Sequence, residues 1–281
     1  MKKILVTGGT GFVGRNVVPI LNKKYEVIAP SRSELNLIDK SSVDDYWRRQ
    51  NFDILLHLAT PRLGQNPSDR QENQFNDMVR AFFNLQACAN EFAKVIYTGS
   101  GAEYGKTRDI TMITEERIGE VIPEDAYGFA KYIMNTVARQ SANIYNLRLF
   151  GCYGPTDDSG KFIRDAIDCC LRNEPIIIRQ DCYFDYLYVE DFAQIIEWFI
   201  ENQPQYHDYN AVTGKPVSLS AIARLVAGKM ENSNGIKILK DGWNNEYTAT
   251  NERLLAEMGK LDLTLLDVGI EQQIIWQKEK F

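Results

Sequence analysis

Tyr127 and Lys131 stand four residues apart in Tyr127-Gly128-Phe129-Ala130-Lys131, at the head of a helical pattern. Side chains at i and i+4 share one helix face. An ammonium beside a phenol favours the phenolate and draws its pKa down from about 10. The pair therefore suits a proton donor and acceptor, Tyr127, tuned by Lys131. The same spacing also fits an ordinary amphipathic surface. A second reactive group, Ser100, follows the apolar run Val95-Ile96-Tyr97-Thr98. Beyond a strand's carboxyl end is where open α/β sheets bind ligands. A third constellation is Val6-Thr7-Gly8-Gly9-Thr10-Gly11-Phe12-Val13-Gly14, with G-x-x-G-x-x-G spacing between a short apolar run, Ile4-Leu5-Val6, and a helical pattern. Gly8 allows a tight turn, Gly11 lets the backbone approach a pyrophosphate, and Gly14 lets the helix pack closely on the strand. The helix N-terminus offers free N–H groups to the anion. A glycine-rich turn without a ligand is the rival reading of this stretch.

These groups need a scaffold. The first half of the chain alternates short apolar runs with longer helical patterns, which points to a parallel sheet wound with helices on both faces. Tyr25–Ala29, Asp53–Thr60 and Val95–Thr98 read as strands, and 71–89 as a helix burying Phe75, Val79, Phe82 and Phe83. His57, inside an apolar run, reads as a satisfied core histidine. The tip of the second strand, Ala29-Pro30-Ser31-Arg32, lacks the acidic residue that holds a ribose 2′-hydroxyl in NAD sites. A hydroxyl and a guanidinium suit a 2′-phosphate, which favours NADP over NAD. Arg32 as an ordinary solvated residue is the alternative. The polar stretch 106–125 shows no pattern. From Gly151 the alternation lapses: 161–172 reads as a helix, Ile176–Ile178 as a strand, Val189–Ile200 as a return to the main domain. A further helix, 218–230, would start at Ser218 or Ser220.

Bulk properties exclude several classes. A chain of 281 residues, 44% hydrophobic, can form one α/β domain with a smaller appended region. A formal charge of −6 without a basic cluster argues against a nucleic-acid surface. No apolar run approaches the roughly 18 residues a membrane span needs. The opening strand is too short for a signal peptide, so cytoplasm is the expected compartment. The five cysteines lack metal-ligand spacing and read as reduced packing residues. With only two histidines, His57 and His207, no metal site is expected.

Taken together, these motifs resemble the extended short-chain dehydrogenase/reductase family, in its nucleotide-sugar, epimerase/dehydratase branch. The likeness rests on the Gly8/Gly11/Gly14 loop, Asp53-Ile54-Leu55-Leu56-His57-Leu58-Ala59, Ser100 before Tyr104-Gly105, and Tyr127-x-x-x-Lys131. It continues through Arg148-Leu149-Phe150-Gly151-Cys152-Tyr153-Gly154-Pro155, Tyr186–Ala193 and the end from Asn251 to Trp276. The resemblance implies a Rossmann-type doubly wound parallel sheet over 1–150, with a return segment at about 182–202. A smaller C-terminal substrate-binding region would comprise 151–181 and 203–281. It also implies a nucleotide-diphosphate sugar as substrate and a homodimer. Ser100, Tyr127 and Lys131 would be catalytic. The dinucleotide would meet Gly8, Gly11, Phe12, Val13 and Gly14 in the first turn, and Ser31, Arg32, Asn36 and Leu37 after the second strand. Leu58, Ala59 and Thr60 would follow the third strand, with Tyr127 and Lys131 at the nicotinamide end.

Departures from the pattern choose among activities. Dehydratases of this branch carry an Asp-Glu pair after the catalytic hydroxyl, where this chain has Gly101 and Ala102. The second-strand tip is most similar to NADPH-using GDP-L-fucose synthases, whose epimerising Cys and His fall on Ala102 and about Lys161. The resulting expectation is an NADP(H)-dependent reductase of a 4-keto nucleotide sugar. The alternatives are a 4-epimerase with tightly held NAD and a catalytically idle dinucleotide-binding scaffold. Gly151 and Phe184 replace an Asn and an Arg usual in the branch. Lys161, Arg164 and Arg179 are diphosphate candidates by charge alone, and solvated surface is the rival reading. Tyr183, Phe184 and Tyr186 fit sheet packing or stacking on a ligand. Glu103, where relatives have an apolar residue, reads as a polar loop residue or a substrate contact.

Overall fold

The computed structural model describes residues 1–48, 51–61 and 67–281. The first half runs β1 (Lys3–Thr7), α1 (Phe12–Leu21), β2 (Glu26–Ile28), α2 (Lys40–Arg48), β3 (Ile54–His57), α3 (Pro67–Gln86), β4 (Lys94–Ser100), β5 (Ile110–Ile113), α4 (Ala126–Gln140) and β6 (Ile144–Leu149). The second half continues with β7 (Gly151–Tyr153), α5 (Phe162–Leu171), β8 (Ile176–Asp181), β9 (Tyr183–Phe184), β10 (Tyr186–Tyr188), α6 (Val189–Glu201) and β11 (Asp208–Ala211). It closes with β12 (Val217–Ser218), α7 (Leu219–Lys229), β13 (Ile236–Trp243), β14 (Tyr247–Ala249), α8 (Glu252–Met258) and α9 (Leu266–Lys278).

Among the described residues, six strands form one parallel sheet in the order β2-β1-β3-β4-β6-β11. Its central strands are buried almost throughout because helices cover both faces. Alternation along β1 divides the core: Ile4 and Val6 pack with α1 and α6 through Val17, Leu21, Phe192 and Ile196. Leu5 faces the other way, toward Met78, Phe82, Ala130 and Met134 of α3 and α4. The buried stripe of α3 is thus Met78, Ala81, Phe82 and Leu85, and Phe83 is 39% exposed, contrary to the expectation that it packs inside. The strand order reverses between β1 and β3, and a crevice at such a switch point is where this architecture binds ligands.

The C-terminal half divides differently from the sequence expectation. Asp208–Ala211, assigned to the substrate-binding region, is the edge strand of the main sheet, parallel to β6. The rest of that region packs α5, α7, α9 and β8 around Ile163, Ile167, Ile178, Ile222 and Ile270. Of the two candidate caps for α7, Ser218 is the one used, its hydroxyl accepting the Ala221 N–H at 3.1 Å. The apparently featureless stretch 106–125 contains β5, whose partner β14 is contributed from far along the chain, so no local pattern marks it. All five cysteines are free. No described helix is long and apolar enough to cross a membrane.

Candidate active site

At the end of β1 the chain turns sharply. Gly8 has φ 79°, a conformation that glycine adopts without strain, and its carbonyl accepts the Gly11 N–H at 3.0 Å. A Cβ on Gly8 would lie 2.6 Å from the Ala59 nitrogen, so the turn is pressed against the chain leaving β3. A Cβ on Gly14 would meet the Gly8 oxygen at 2.3 Å. The third glycine therefore admits the turn itself, rather than a close approach of helix and strand. Gly11 caps α1 without a side-chain hydrogen bond, leaving the first-turn N–H groups open to an anion.

A cavity of about 320 Å³ opens in front of this turn, at the switch point between β1 and β3. Gly8 and Gly11 form its floor, Arg32, Asn36 and Leu37 one side, and Leu58, Ala59 and Thr60 the other. Lys131 closes the inner end. Phe12, Val13, Gly14, Ser31 and Tyr127, also assigned to the cofactor from sequence, do not line it. Ser31 is engaged within its own turn, where its N–H and hydroxyl both donate to the Glu34 carboxylate, at 2.8 and 2.7 Å. Of the expected hydroxyl–guanidinium couple only Arg32 faces the cavity, without an ion-pair partner among the described residues. The open helix N-terminus and the glycine turn fit a dinucleotide.

His57 also lines the cavity, a role its apolar neighbours in sequence concealed. It is buried, and its Nδ1 lies 2.6 Å from the Thr7 hydroxyl oxygen. Burial, reinforced by the Lys131 charge, draws its pKa down to about 3, so the ring is neutral at physiological pH. Pro30, Leu35 and Met134 supply apolar wall.

Ser100, Tyr127 and Lys131 are brought together beside the inner end of the cavity. Ser100 terminates β4, and its Oγ accepts the Ala102 N–H at 3.2 Å. It also interacts with the Tyr127 phenol. Tyr127 and Lys131 lie one turn apart on α4, which Asp125 caps by accepting the Gly128 N–H at 2.9 Å. The Lys131 Nζ donates to the Thr98 carbonyl at 2.6 Å and sits 5.9 Å from the centre of the Tyr127 ring. Burial lowers the Lys131 pKa to about 8, against the raising effect of the Glu103 carboxylate. The expected lowering of the Tyr127 pKa is not found. Desolvation pushes the phenol up, Ser100 pulls it down, and Glu103 and Asp125 push it further up, while the ammonium is turned toward Thr98.

Glu103 is neither a loop residue nor a substrate contact. It is fully buried, and its Oε2 accepts from Arg148 Nε at 2.5 Å. The other end of that guanidinium donates to Asp208 at 2.6 Å. The Glu103 Oε1 accepts the Ser100 N–H at 2.9 Å, so the carboxylate and the Ser100 hydroxyl form a reciprocal cap on the turn 101–104. Burial raises the Glu103 pKa, with Arg148 opposing. Gly99 belongs to the same arrangement, since a Cβ there would reach within 1.9 Å of Asn146 Oδ1.

Two side chains that sequence reasoning missed complete the corner. The Tyr247 hydroxyl lies 3.5 Å from Ser100 Oγ. The Lys106 Nζ stands 5.8 Å from the Tyr127 ring centre and 5.7 Å from that of Tyr247. Neither belongs to a recognisable motif, so the sequence held no signal for them. Other candidates lie elsewhere. Arg164 is engaged by the Asp157 carbonyl and Asp168, while Lys161 and Arg179 are exposed. Tyr183 stacks on Trp243, whereas Phe184 packs against Tyr186 and Tyr247. No described cluster of His, Cys, Asp or Glu could hold a metal.

Comparison with known proteins matches residues 4–211 to the model of the NAD dependent epimerase/dehydratase family. Among solved structures, the chain superposes on a GDP-L-fucose synthetase from Naegleria fowleri bound to NADP, with TM-score 0.89 and 19% identity over 99% of this chain and 93% of that one. A GDP-mannoheptose C4 reductase from Campylobacter jejuni with NADP bound gives 0.85 and 16%, covering 99% and 98%. A UDP-glucose 4-epimerase from Thermotoga maritima with UDP-glucose gives 0.84 and 20%, covering 99% of each chain.

Proposed function

The chain belongs to the NAD dependent epimerase/dehydratase family, and within it we propose that it is an NADP(H)-dependent reductase of a 4-keto nucleotide-diphosphate sugar. The observation that carries the cofactor choice is Arg32, a guanidinium on the cavity wall without an ionic partner among the described residues. Planar guanidinium matches phosphate oxygens, which NADP has at its ribose and NAD lacks. An enzyme that takes NADPH consumes it as a reductant. The substrate class is supported by the reductases and epimerases among the similar structures.

Residues of the first turn and of the second-strand tip would hold the dinucleotide, which supplies hydride to the sugar carbon. The protein's own part is to receive the charge that develops on the carbonyl oxygen. Ser100, with its Oγ already accepting from Ala102, has its proton free to donate to that oxygen. Tyr127 donates as well and gives up its proton as the oxygen becomes a hydroxyl, then regains one from solvent. Its raised pKa keeps it protonated and ready for this step. Lys131, buried and charged below about pH 8, stabilises the phenolate left behind. At 101 and 102 the site offers no carboxyl group to remove or return a carbon-bound proton, which disfavours dehydration.

One observation favours a 4-epimerase with retained NAD: the Glu34 carboxylate stands at the same strand tip, where NAD sites use an acid. The test is to incubate purified protein and NADPH with a panel of 4-keto-6-deoxy nucleotide sugars and follow cofactor absorbance. Sugar-dependent loss of NADPH is expected. Co-purified NAD(H) with epimer interconversion and no net cofactor use would replace the reductase by the epimerase.

A further inference from the structure

We propose that Tyr247 is a third catalytic hydroxyl of this site, donating to the reacting sugar oxygen together with Ser100 and Tyr127; this rests on the reading of the site given above. The 3.5 Å between the Tyr247 hydroxyl and Ser100 Oγ exceeds the roughly 2.7–2.8 Å of a good O–H···O bond. That contact is the only side-chain hydrogen bond the phenol makes among the described residues, although the residue is only 9% exposed. Buried phenols ordinarily find a close partner. An acceptor oxygen placed about 2.8 Å from both atoms would sit at the apex of a triangle on that 3.5 Å base, where the Tyr247 and Ser100 hydroxyls can both donate to it.

The phenol is held firmly in this position. Tyr247 opens β14, which pairs with β5 and β9, and its ring packs on Phe150 at 4.7 Å and Phe184 at 5.4 Å between centres. Burial raises its pKa, so it is a neutral donor across the working range and not a base. The Lys106 ammonium over both phenol rings adds positive potential where negative charge will develop.

The chemistry assigns the third donor a specific moment. A ground-state carbonyl oxygen has two lone pairs, which Ser100 and Tyr127 can engage. As hydride adds to carbon, the oxygen acquires a third lone pair and a negative charge. Tyr247 then has an acceptor it lacked before, and an interaction strengthened only in the transition state raises kcat. No bond of Tyr247 breaks, because the proton transferred is that of Tyr127.

The test compares wild type with Tyr247→Phe, which removes the hydroxyl and keeps the ring. With NADPH and a turned-over nucleotide sugar, kcat should fall roughly 10²-fold. KM for the sugar should change by less than about threefold, since the third contact is made in the transition state. NADPH affinity and melting temperature should be unchanged, and the primary deuterium isotope effect from deuterated NADPH should rise. A Tyr247→Phe enzyme within twofold of wild type, or a loss confined to KM, overturns the proposal alone. A wild type that neither consumes NADPH nor interconverts any nucleotide sugar overturns the functional reading, and the proposal falls with it.

Discussion

The proposed dinucleotide cradle and the proposed reactive corner meet at Lys131, yet they are built by opposite means. The cradle is made largely of backbone: a turn at Gly8 and Gly11 and open N–H groups at the start of α1, with the charged side chains Arg32 and Asp77 on its wall besides Lys131. The turn, the helix start and Arg32 lie within a few dozen residues of one another. The corner is made of side chains delivered by β4, α4 and β14, and beneath it lies a buried ionic chain from Glu103 through Arg148 to Asp208. A backbone site tolerates change in the rest of the molecule. A side-chain site inherits the fate of every element that supplies it.

If the two regions are separable, changes in one should spare the other. Tyr127→Phe should reduce turnover by roughly 10²–10⁴-fold with NADPH affinity unaltered; a parallel loss of affinity in a binding titration would show that cradle and corner are one unit. Arg148→Met leaves two buried carboxylates without their shared cation, a change that costs about 3–5 kcal/mol when one partner of a buried pair is removed. Denaturant melts should register that loss, with residual activity falling through Ser100, whose N–H depends on Glu103. Retention of full stability would mean that the ionic chain only fills space.

Smaller changes sharpen the comparison. Arg32→Ala should weaken NADPH roughly tenfold or more, the worth of a charge-assisted hydrogen bond, and leave NADH binding unchanged. Equal effects on both cofactors would remove the 2′-phosphate assignment. The pH profile probes the junction itself. Lys131 carries its charge below about pH 8 and loses it above, so kcat/KM should decline on the alkaline side near that value. Lys131→Arg, charged throughout, should push that limb to higher pH; a limb that stays in place would assign it to another group.

The cradle is legible in the sequence because each of its requirements is local. A positive φ at Gly8 and a short strand before a helix are written in consecutive residues. Even so, only the folded turn shows that the Ser31 hydroxyl donates to Glu34 and does not line the cavity. The expectation for Glu103 fails for a related reason. A carboxylate in the polar turn after a strand looks solvated until Arg148, brought in by β6, makes its complete burial tolerable. The Tyr127 pKa moves opposite to expectation because i, i+4 spacing states proximity but not orientation, and the Lys131 ammonium points at a carbonyl. The edge strand β11 leaves no sequence signal because its apolar and polar residues are all buried, which erases alternation.

By itself the sequence determined the parallel wound sheet, the glycine turn and the Tyr127–Lys131 pair. These depend on periodicities and φ preferences that act over a few neighbouring residues. Only the tertiary structure decided what surrounds the reactive oxygen position, because Ser100 and Tyr247 are 147 residues apart in the chain. Contacts at that separation arise from packing of whole elements, a property no short stretch of residues can encode.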